Sequence, residues 1–249
     1  MSHKKVLSSV VLTVAIISTM NTFAANHDII IDMSGPFISV GVGPAHLENS
    51  RWSRFPVDQP GLFQVEQPQI SSTTVPVGSL ALGYQFNAIP ITLELSYNYF
   101  GQIQFNWPRT FIKAPNESSA GKVSTQTLMM NAYYNIPTHS RFTPYVGAGV
   151  GSHFTYTSYD FSAFGWFPQH SIDTGHTNNN GLSWDVLAGV NYALTQNWQI
   201  GARVSYTDLG SVTFNEITVR GNSHVERGIA KTNKLYDIAG MATLSYTFH

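Results

Sequence analysis

Four charged side chains share a pattern that points to an enclosed site. Glu94, Asp185, Arg203 and Asp237 occupy positions that alternate with apolar residues along their segments. If the segments are strands, the period of two places these charges on the same face as neighbouring Gly, Ser, Thr and Asn. An enclosed guanidinium must pair with at least one carboxylate, because an unpaired buried charge is costly. We therefore expect a lumen salt-bridge network made of these four residues.

A second cluster has the residue types of hydrolytic catalysis. Ser223 and His224 are adjacent, Glu226 follows them, and His153 is another candidate base. A nucleophile and its base must meet within hydrogen-bond distance. Neighbouring residues of a strand point to opposite faces, so Ser223 and His224 are badly placed for this role. We expect a polar surface segment at Asn222–Glu226 and assign no catalytic residue.

One group of side chains could ligate zinc. His170, Asp173 and His176 carry suitable ligands, but only a particular fold of their segment would bring them together. We expect these residues to be solvated, and we assign no metal ligand, no cofactor-binding residue and no cofactor.

The composition describes the environment of the chain. Of 249 residues only 11% are charged, while 13% are aromatic and 20 are Gly. Since soluble domains carry about 25% charged residues, much of the surface must face something other than water. The absence of Cys excludes disulfide scaffolds and thiolate chemistry, and the net charge of −1 gives no reason to expect a nucleic-acid partner.

The N-terminal residues predict an export signal. Lys4 and Lys5 precede a short apolar stretch, and Thr22–Ala24 form a small-x-small cleavage site. We expect a signal peptide over 1–24 and one barrel domain over 25–249. The alternative is a transmembrane anchor, but the apolar stretch is too short to span a bilayer comfortably.

Period-two alternation predicts eight strands, each near the length that crosses a bilayer at a tilt. They are 36–43, 77–86, 91–99, 124–134, 144–156, 184–192, 198–207 and 236–248. Short connections at 87–90, 135–141 and 194–197 alternate with long ones at 45–75, 102–122, 157–182 and 208–232, and we expect a turn at Thr177–Gly181. The fold class we predict is all-β: an antiparallel, up-and-down transmembrane β-barrel of eight strands with both termini periplasmic.

The side chains of these strands indicate which face lies outside. A soluble lipocalin-like barrel alternates too, but with its apolar face inward. Here the polar face lacks the many Lys and Glu residues of a water-facing surface. In addition, no strand has an apolar set large enough to line an apolar ligand cavity. Aromatic residues flank the apolar faces, as in the interfacial girdles of membrane barrels. The predicted girdle residues are Trp184, Tyr192, Trp198, Tyr206 and Tyr236.

Glycines on the inward face match such a narrow barrel. Eight strands leave a lumen just wide enough for side chains, and the first strand must pair with the last because hydrocarbon tolerates no open edge. Gly147, Gly149, Gly151 and Gly189 would leave room for larger neighbours.

The chain resembles small outer-membrane β-barrel proteins of Gram-negative bacteria, namely the OmpA-like transmembrane domain and the opacity-type surface antigens. The motifs that carry the resemblance are Pro144–Gly151 and the closing Leu244–Phe248. It implies that Tyr246 and Phe248 form a C-terminal signal for the barrel-assembly machinery, although His249 follows them. It also implies that the lumen charges could act as a gate. Some eight-stranded outer-membrane barrels modify lipid A, which is why an enzyme is considered below.

The resemblance and the pattern together predict a structural or surface-exposed protein, porin-like or adhesin-like, in the outer membrane. Its expected partners are outer-membrane lipid, lipopolysaccharide, the assembly machinery and, through the long loops, host surface molecules. The aromatic loop residues favour adhesion or a role in capping the barrel mouth. Two alternatives stay open: a small-solute or hydrophobic-ligand channel of OmpW-like type and, less favoured, a lipid A-modifying enzyme.

Overall fold

The computed structural model describes residues 33–49, 52–56, 73–107, 116–164, 173–220, 224–232 and 234–249, with side chains described for 33–48, 73–104, 122–158, 177–212 and 234–249. The strands in these ranges are β1 (Gly35–Asn49), β2 (Trp52–Pro56), β3 (Thr73–Gln85), β4 (Ile91–Phe100), β5 (Ile103–Trp107), β6 (Asn116–Asn135), β7 (Phe142–Phe164), β8 (Asp173–Ala193), β9 (Trp198–Gly210), β10 (Thr213–Arg220), β11 (His224–Thr232) and β12 (Leu235–Thr247). Within the described ranges, helices of the length and hydropathy needed to cross a membrane are absent. The expected signal peptide lies outside the described residues.

Eight of these strands close into an antiparallel barrel, which confirms the predicted fold class. Their order is β1, β3, β4, β6, β7, β8, β9 and β12, and β12 pairs back onto β1. At that seam Ser39 lies opposite Ser245, and their hydroxyl oxygens are 2.8 Å apart. Closure leaves no edge of the eight-stranded ring unpaired, as hydrocarbon requires.

The three short connections lie where they were predicted, but the long ones contain more strand than expected. β6, β7 and β8 have 20, 23 and 21 residues and run far beyond the segments that alternation marked. The prediction of a turn at Thr177–Gly181 is wrong, because this stretch lies inside β8 and pairs with His153–Thr157 of β7. Away from the membrane a strand has no need of an apolar face, so the alternation ends before the strand does. A small separate sheet pairs β10 with β11 and β11 with β2.

The outward face of the barrel is apolar and the inward face is largely polar. Among the exposed residues, Val42 and Met130 each show 65% of their surface and Val150 shows 60%. Ser96 and Thr127, on inward positions, are fully buried. A water-soluble barrel would reverse this arrangement, since burial of apolar surface is what stabilises it in water. The exposed apolar band therefore fits a hydrocarbon surrounding.

Aromatic rings meet at the two ends of this band. At the end of the long connections, the Tyr206 ring lies 5.7 Å from that of Trp184 and 5.5 Å from that of Tyr236. At the end of the short turns, Trp198 packs against Tyr246 and Tyr192 against Phe142, with centroids 4.9 and 4.7 Å apart. Eight residues separate Trp198 from Tyr206, or about 27 Å along a strand, which a tilt of about 40° reduces to roughly 20 Å of band height.

The four inward glycines leave room for larger neighbours, and at Gly147 and Gly189 those neighbours are aromatic. A Cβ at Gly147 would lie 2.5 Å from Cδ1 of Tyr133, and one at Gly189 would lie 2.5 Å from the Tyr145 ring. The two tyrosine rings pack against each other with centroids 5.3 Å apart. Small and large side chains thus alternate across facing strands to fill the lumen.

The inside of the barrel also has an apolar layer that the strand patterns did not reveal. It is assembled where the strands approach the long connections, from one or a few residues of each contributing strand, so that no single segment shows it. Its members are Ala45, Leu47, Val75, Val77, Phe100, Ile103, Val123, Leu209, Val212, Leu235, Ala239 and Met241. We call this set the apolar layer.

Candidate functional site

Three of the four predicted lumen residues belong to one row of paired positions that runs around the barrel wall, while Arg203 lies outside this row, opposite Gly189 and Met241. Glu94 of β4 lies opposite Asn131 of β6, which lies opposite Gly149 of β7. Gly149 faces Asp185 of β8, and Thr207 of β9 separates Asp185 from Asp237 of β12. Because paired residues point to the same side of a sheet, all these side chains enter the lumen. We call these six residues the lumen row.

Arg203 reaches across the lumen and forms an ion pair with Glu94. Its Nη1 and Nη2 donate to Oε1 and Oε2 of Glu94, each at 3.0 Å. Only 9% of the arginine side chain and 1% of the glutamate side chain are exposed. This parallel two-bond geometry is the strongest form of the guanidinium–carboxylate interaction.

Two tyrosines and an asparagine complete the surroundings of this pair. Nε of Arg203 donates to the Tyr145 hydroxyl at 3.2 Å, and the guanidinium carbon lies 5.2 Å from the centre of the Tyr133 ring. The hydroxyl of Tyr133 donates to Oε1 of Glu94, and Nδ2 of Asn131 approaches the same oxygen at 3.3 Å. The pair is thus held by further hydrogen bonds on both its members, which a buried ion pair needs in order to be stable.

Asp185 and Asp237 enter the same lumen but make no ion pair with Arg203. Their exposed fractions are 6% and 0%. Oδ1 of Asp185 and both carboxylate oxygens of Asp237 form no well-aligned hydrogen bond with the described side chains, although the Thr207 hydroxyl interacts with Asp237. The buried charged side chains described for this barrel are therefore one guanidinium and three carboxylates.

A cavity lies beside these carboxylates. Asn131, Asp185, Arg203, Thr207 and Asp237 line it together with residues of the apolar layer, and the centre of a water-sized sphere can occupy about 20 Å³ of it. One water needs about 10–15 Å³ of such space, so the cavity has room for one or two waters or a small ion rather than for a large solute.

Among the candidate catalytic and metal residues, His153 alone has a described side chain. Nδ1 of His153 lies 3.1 Å from the hydroxyl of Ser183, with both residues buried. His224 and Glu226 belong to β11 and Asp173 and His176 to β8, but their side chains, like residues 170, 222 and 223, lie outside the described part. Groups of three or more His, Asp or Glu able to hold a metal ion do not occur among the described residues.

The predicted C-terminal assembly residues close the barrel seam. Tyr246 and Phe248 project outward with ring centroids 5.0 Å apart, and the Phe248 amide donates to the Pro36 carbonyl at 2.8 Å. At the opposite end Lys234 forms an ion pair with Asp208 at 2.8 Å. The exposed Lys234 donates a hydrogen bond to the half-buried Asp208 carboxylate, which raises the pKa of the lysine.

Sequence reasoning missed three members of the site. Asn131, Tyr133 and Tyr145 hold the ion pair, and Gly149 leaves the space into which Asn131 points. Counting inward positions along segments 124–134 and 144–156, as was done for the more regular strands, would have placed all of them in the lumen.

Comparisons with known proteins agree with this architecture. The family model described as "Outer membrane protein beta-barrel domain" matches residues 9–222. A curated relative, Outer membrane protein PagN of Salmonella typhimurium, is 27% identical over 153 residues, which are 59% of this chain. The chain spans 63% of the length of that relative.

Solved structures of outer-membrane proteins are similar over most of the chain. Neisserial surface protein A gives a TM-score of 0.47 at 17% identity and covers 86% of this chain and 98% of its own. OprG of Pseudomonas aeruginosa gives 0.48 at 18% identity, covering 87% and 97%. Ail, the attachment invasion locus protein of Yersinia pestis, gives 0.44 at 14% identity, covering 87% and 100%.

Proposed function

Since this chain belongs to the outer-membrane protein β-barrel domain family, we propose that it is a surface-exposed barrel with a plugged lumen that acts through its long extracellular loops. The protein is located in the Gram-negative outer membrane, in contact with lipid and lipopolysaccharide. The proposed role is structural or adhesin-like, with host surface molecules as the partners of the loops.

The observation that carries the proposal is the ion pair across the lumen. Arg203 and Glu94 come from β9 and β4, which are not neighbours in the barrel, so their contact crosses the interior. Between this pair and the long connections, the apolar layer packs side chains from several strands into the same narrow lumen. A conducting path for solutes would need both to rearrange.

The length of three strands supports a function outside the membrane. Val150 of β7 lies opposite Trp184, which belongs to the aromatic ring contacts at one end of the band. From Val150 the strand continues to Phe164, or about 45 Å further at roughly 3.3 Å per residue. β6 and β8 pair with this extension, so a paired sheet projects from the barrel and can present its tips to a partner.

Planar-bilayer conductance tests the plugged lumen. We expect the purified protein to show little or no conductance, while Arg203→Ala removes the cross-lumen contact and raises the frequency of small openings. The matched control is Lys234→Ala, which removes an exposed cation paired with Asp208 outside the lumen. Stable, large conductance of the unaltered protein would refute the proposal.

Trimming the projecting sheet tests the role of the loops. Ser158 lies opposite His176, so replacing residues 159–175 by Asn-Gly closes a short hairpin at that register. Both chains are expressed in a non-adherent Gram-negative strain. We expect the full chain to increase adherence of the bacteria to cultured host cells and the trimmed chain not to do so. Equal amounts of folded barrel, judged from unboiled gel samples, provide the control. Adherence that does not differ between the two chains argues against a loop-borne adhesin.

The second candidate function is a narrow channel for small solutes or hydrophobic ligands. The cavity beside the lumen row favours it, because this space already lies inside the barrel. If the unaltered protein already conducts, and the Arg203→Ala change alters that conductance, the channel is favoured over the plugged scaffold.

Three further proposals concern export, assembly and chemistry. Residues 1–24 act as a cleaved signal peptide, and Tyr246 and Phe248 serve as the signal for the barrel-assembly machinery. We assign the protein no enzymatic activity. An altered lipid A mass on expression of the chain, absent from the vector control, would overturn that last statement.

A further inference from the structure

We propose that the lumen row holds a divalent cation of the calcium class, bound by oxygen atoms of Asn131, Asp185 and Asp237. This inference concerns the interior of the barrel and does not depend on whether the loops bind a partner.

The first observation is a pair of acceptor oxygens that face each other. A Cβ at Gly149 would lie 1.9 Å from Oδ1 of Asn131 and 2.6 Å from Oδ1 of Asp185. The two oxygens are thus close to one point, and no more than about 4.5 Å separates them. Neither can donate a hydrogen bond when Asp185 is ionised, so a hydrogen-bond donor or a cation must lie between or beside them.

The second observation is independent of the carboxylates. Asn131 is 2% exposed, and its Oδ1 has no hydrogen-bond partner among the described side chains. Its orientation is fixed, because Nδ2 already donates toward Glu94, Ser96 and Tyr133. The amide oxygen must therefore point toward Asp185. Buried amide oxygens without a partner are rare, and a bound ion or water is the usual way to satisfy one.

The third observation is the charge of the interior. Arg203 pairs with Glu94, which leaves Asp185 and Asp237 as two buried carboxylates that form no ion pair with the described side chains. Both lie opposite Thr207, from the two sides of β9, and all three line the cavity. One divalent cation would balance the two negative charges.

The chemistry of the ligands points to a hard cation. Every available donor is an oxygen, from a carboxylate, an amide or, at Ser205 and Thr207, a hydroxyl. Calcium takes such oxygens at about 2.3–2.6 Å in flexible geometry, so two ligands of one ion can be up to about 5.2 Å apart. The Asn131 and Asp185 oxygens, at most about 4.5 Å apart, are close enough to bind the same ion. Water in the cavity can complete the coordination.

Gly149 is the residue that makes this arrangement possible. Any side chain there would occupy the point on which the two oxygens converge. Gly78 provides the matched comparison, because a Cβ at that position has no atom within 4 Å.

The test is direct calcium binding to the full chain, refolded in zwitterionic detergent free of lipopolysaccharide, whose phosphates would bind calcium themselves. Calcium-45 is added during refolding, and bound metal is measured after equilibrium dialysis. We expect about one calcium per barrel for the unaltered protein and for Gly78→Ala and Asp208→Asn. For Asp185→Asn and Asp237→Asn we expect affinity lower by about tenfold or more, because each loses a charged ligand in a buried site.

Three outcomes would overturn the proposal. They are no calcium bound to the unaltered protein, equal binding by the Asp185→Asn and Asp237→Asn variants, and loss of binding in Asp208→Asn alone. Gly149→Ala is expected to lose binding as well. Asp185→Asn keeps the shape of the side chain, so the proposal stays testable even if the glycine variant does not fold. Displacement of calcium by an excess of sodium at equal ionic strength would contradict the divalent assignment.

Discussion

Removing the two members of the lumen ion pair separately should have unequal effects on stability. Arg203→Met leaves Glu94 without its partner, beside two carboxylates that already lack one. Glu94→Gln leaves a guanidinium that still interacts electrostatically with Asp185. Both members are buried, and breaking such a pair costs about 3–5 kcal/mol. We expect Arg203→Met at the upper end of that range and Glu94→Gln about 1–2 kcal/mol below it.

The double variant separates the pair from its surroundings. With both charges removed, no glutamate charge is left unpaired, so Arg203→Met combined with Glu94→Gln should be less destabilising than the sum of the single changes. Equilibrium unfolding by urea in lipid vesicles, followed by tryptophan fluorescence, measures all four proteins. A loss of about 4 kcal/mol lowers the midpoint by about 2 M at a slope of about 2 kcal/mol per molar. Additive effects, or equal effects of the two single changes, would refute the reasoning.

Three other changes test the lumen packing, the outer face and the assembly signal. Gly189→Ala brings a Cβ to 2.5 Å from the Tyr145 ring and should cost about 1–3 kcal/mol in urea unfolding, whereas Gly240→Ala meets no atom within 4 Å and should be near neutral. Val204→Arg, on the outward face at 52% exposure, should destabilise the vesicle-embedded barrel by about 2–4 kcal/mol, while a change within about 0.5 kcal/mol would indicate a face in water. Phe248→Ala should lower the folded, unboiled gel band in outer-membrane fractions several-fold at unchanged synthesis, and an undiminished band would contradict an assembly role.

The membrane-spanning half of the barrel could be predicted from the sequence because the physics there is strict. Each strand must show an apolar residue to lipid at every second position, so Trp198–Tyr206 and Ile91–Tyr99 were predicted with the correct face outward. Beyond the band no such demand exists. The polar stretch Thr177–Gly181 therefore had the composition of a turn, although its pairing with β7 makes it strand.

The partner choice inside the lumen could not be predicted. Arg203 had three candidate carboxylates, and 109 positions separate it from Glu94, the residue that binds it. Which inward side chains meet across a barrel depends on the stagger between strands, which alternation does not contain. The apolar layer was missed for a related reason, because each contributing strand adds only one or a few residues to it.

Closure of the barrel between β1 and β12 is tested most directly by a disulfide at the seam. The natural chain has no cysteine, and the hydroxyl oxygens of Ser39 and Ser245 are 2.8 Å apart on directly paired positions. A closed barrel predicts that Ser39→Cys with Ser245→Cys oxidises in the outer membrane to a protein without free thiols. Ser39→Cys with Ser205→Cys should keep both thiols, because β12 lies between β1 and β9. Free thiols in the first pair would contradict the closed eight-stranded barrel.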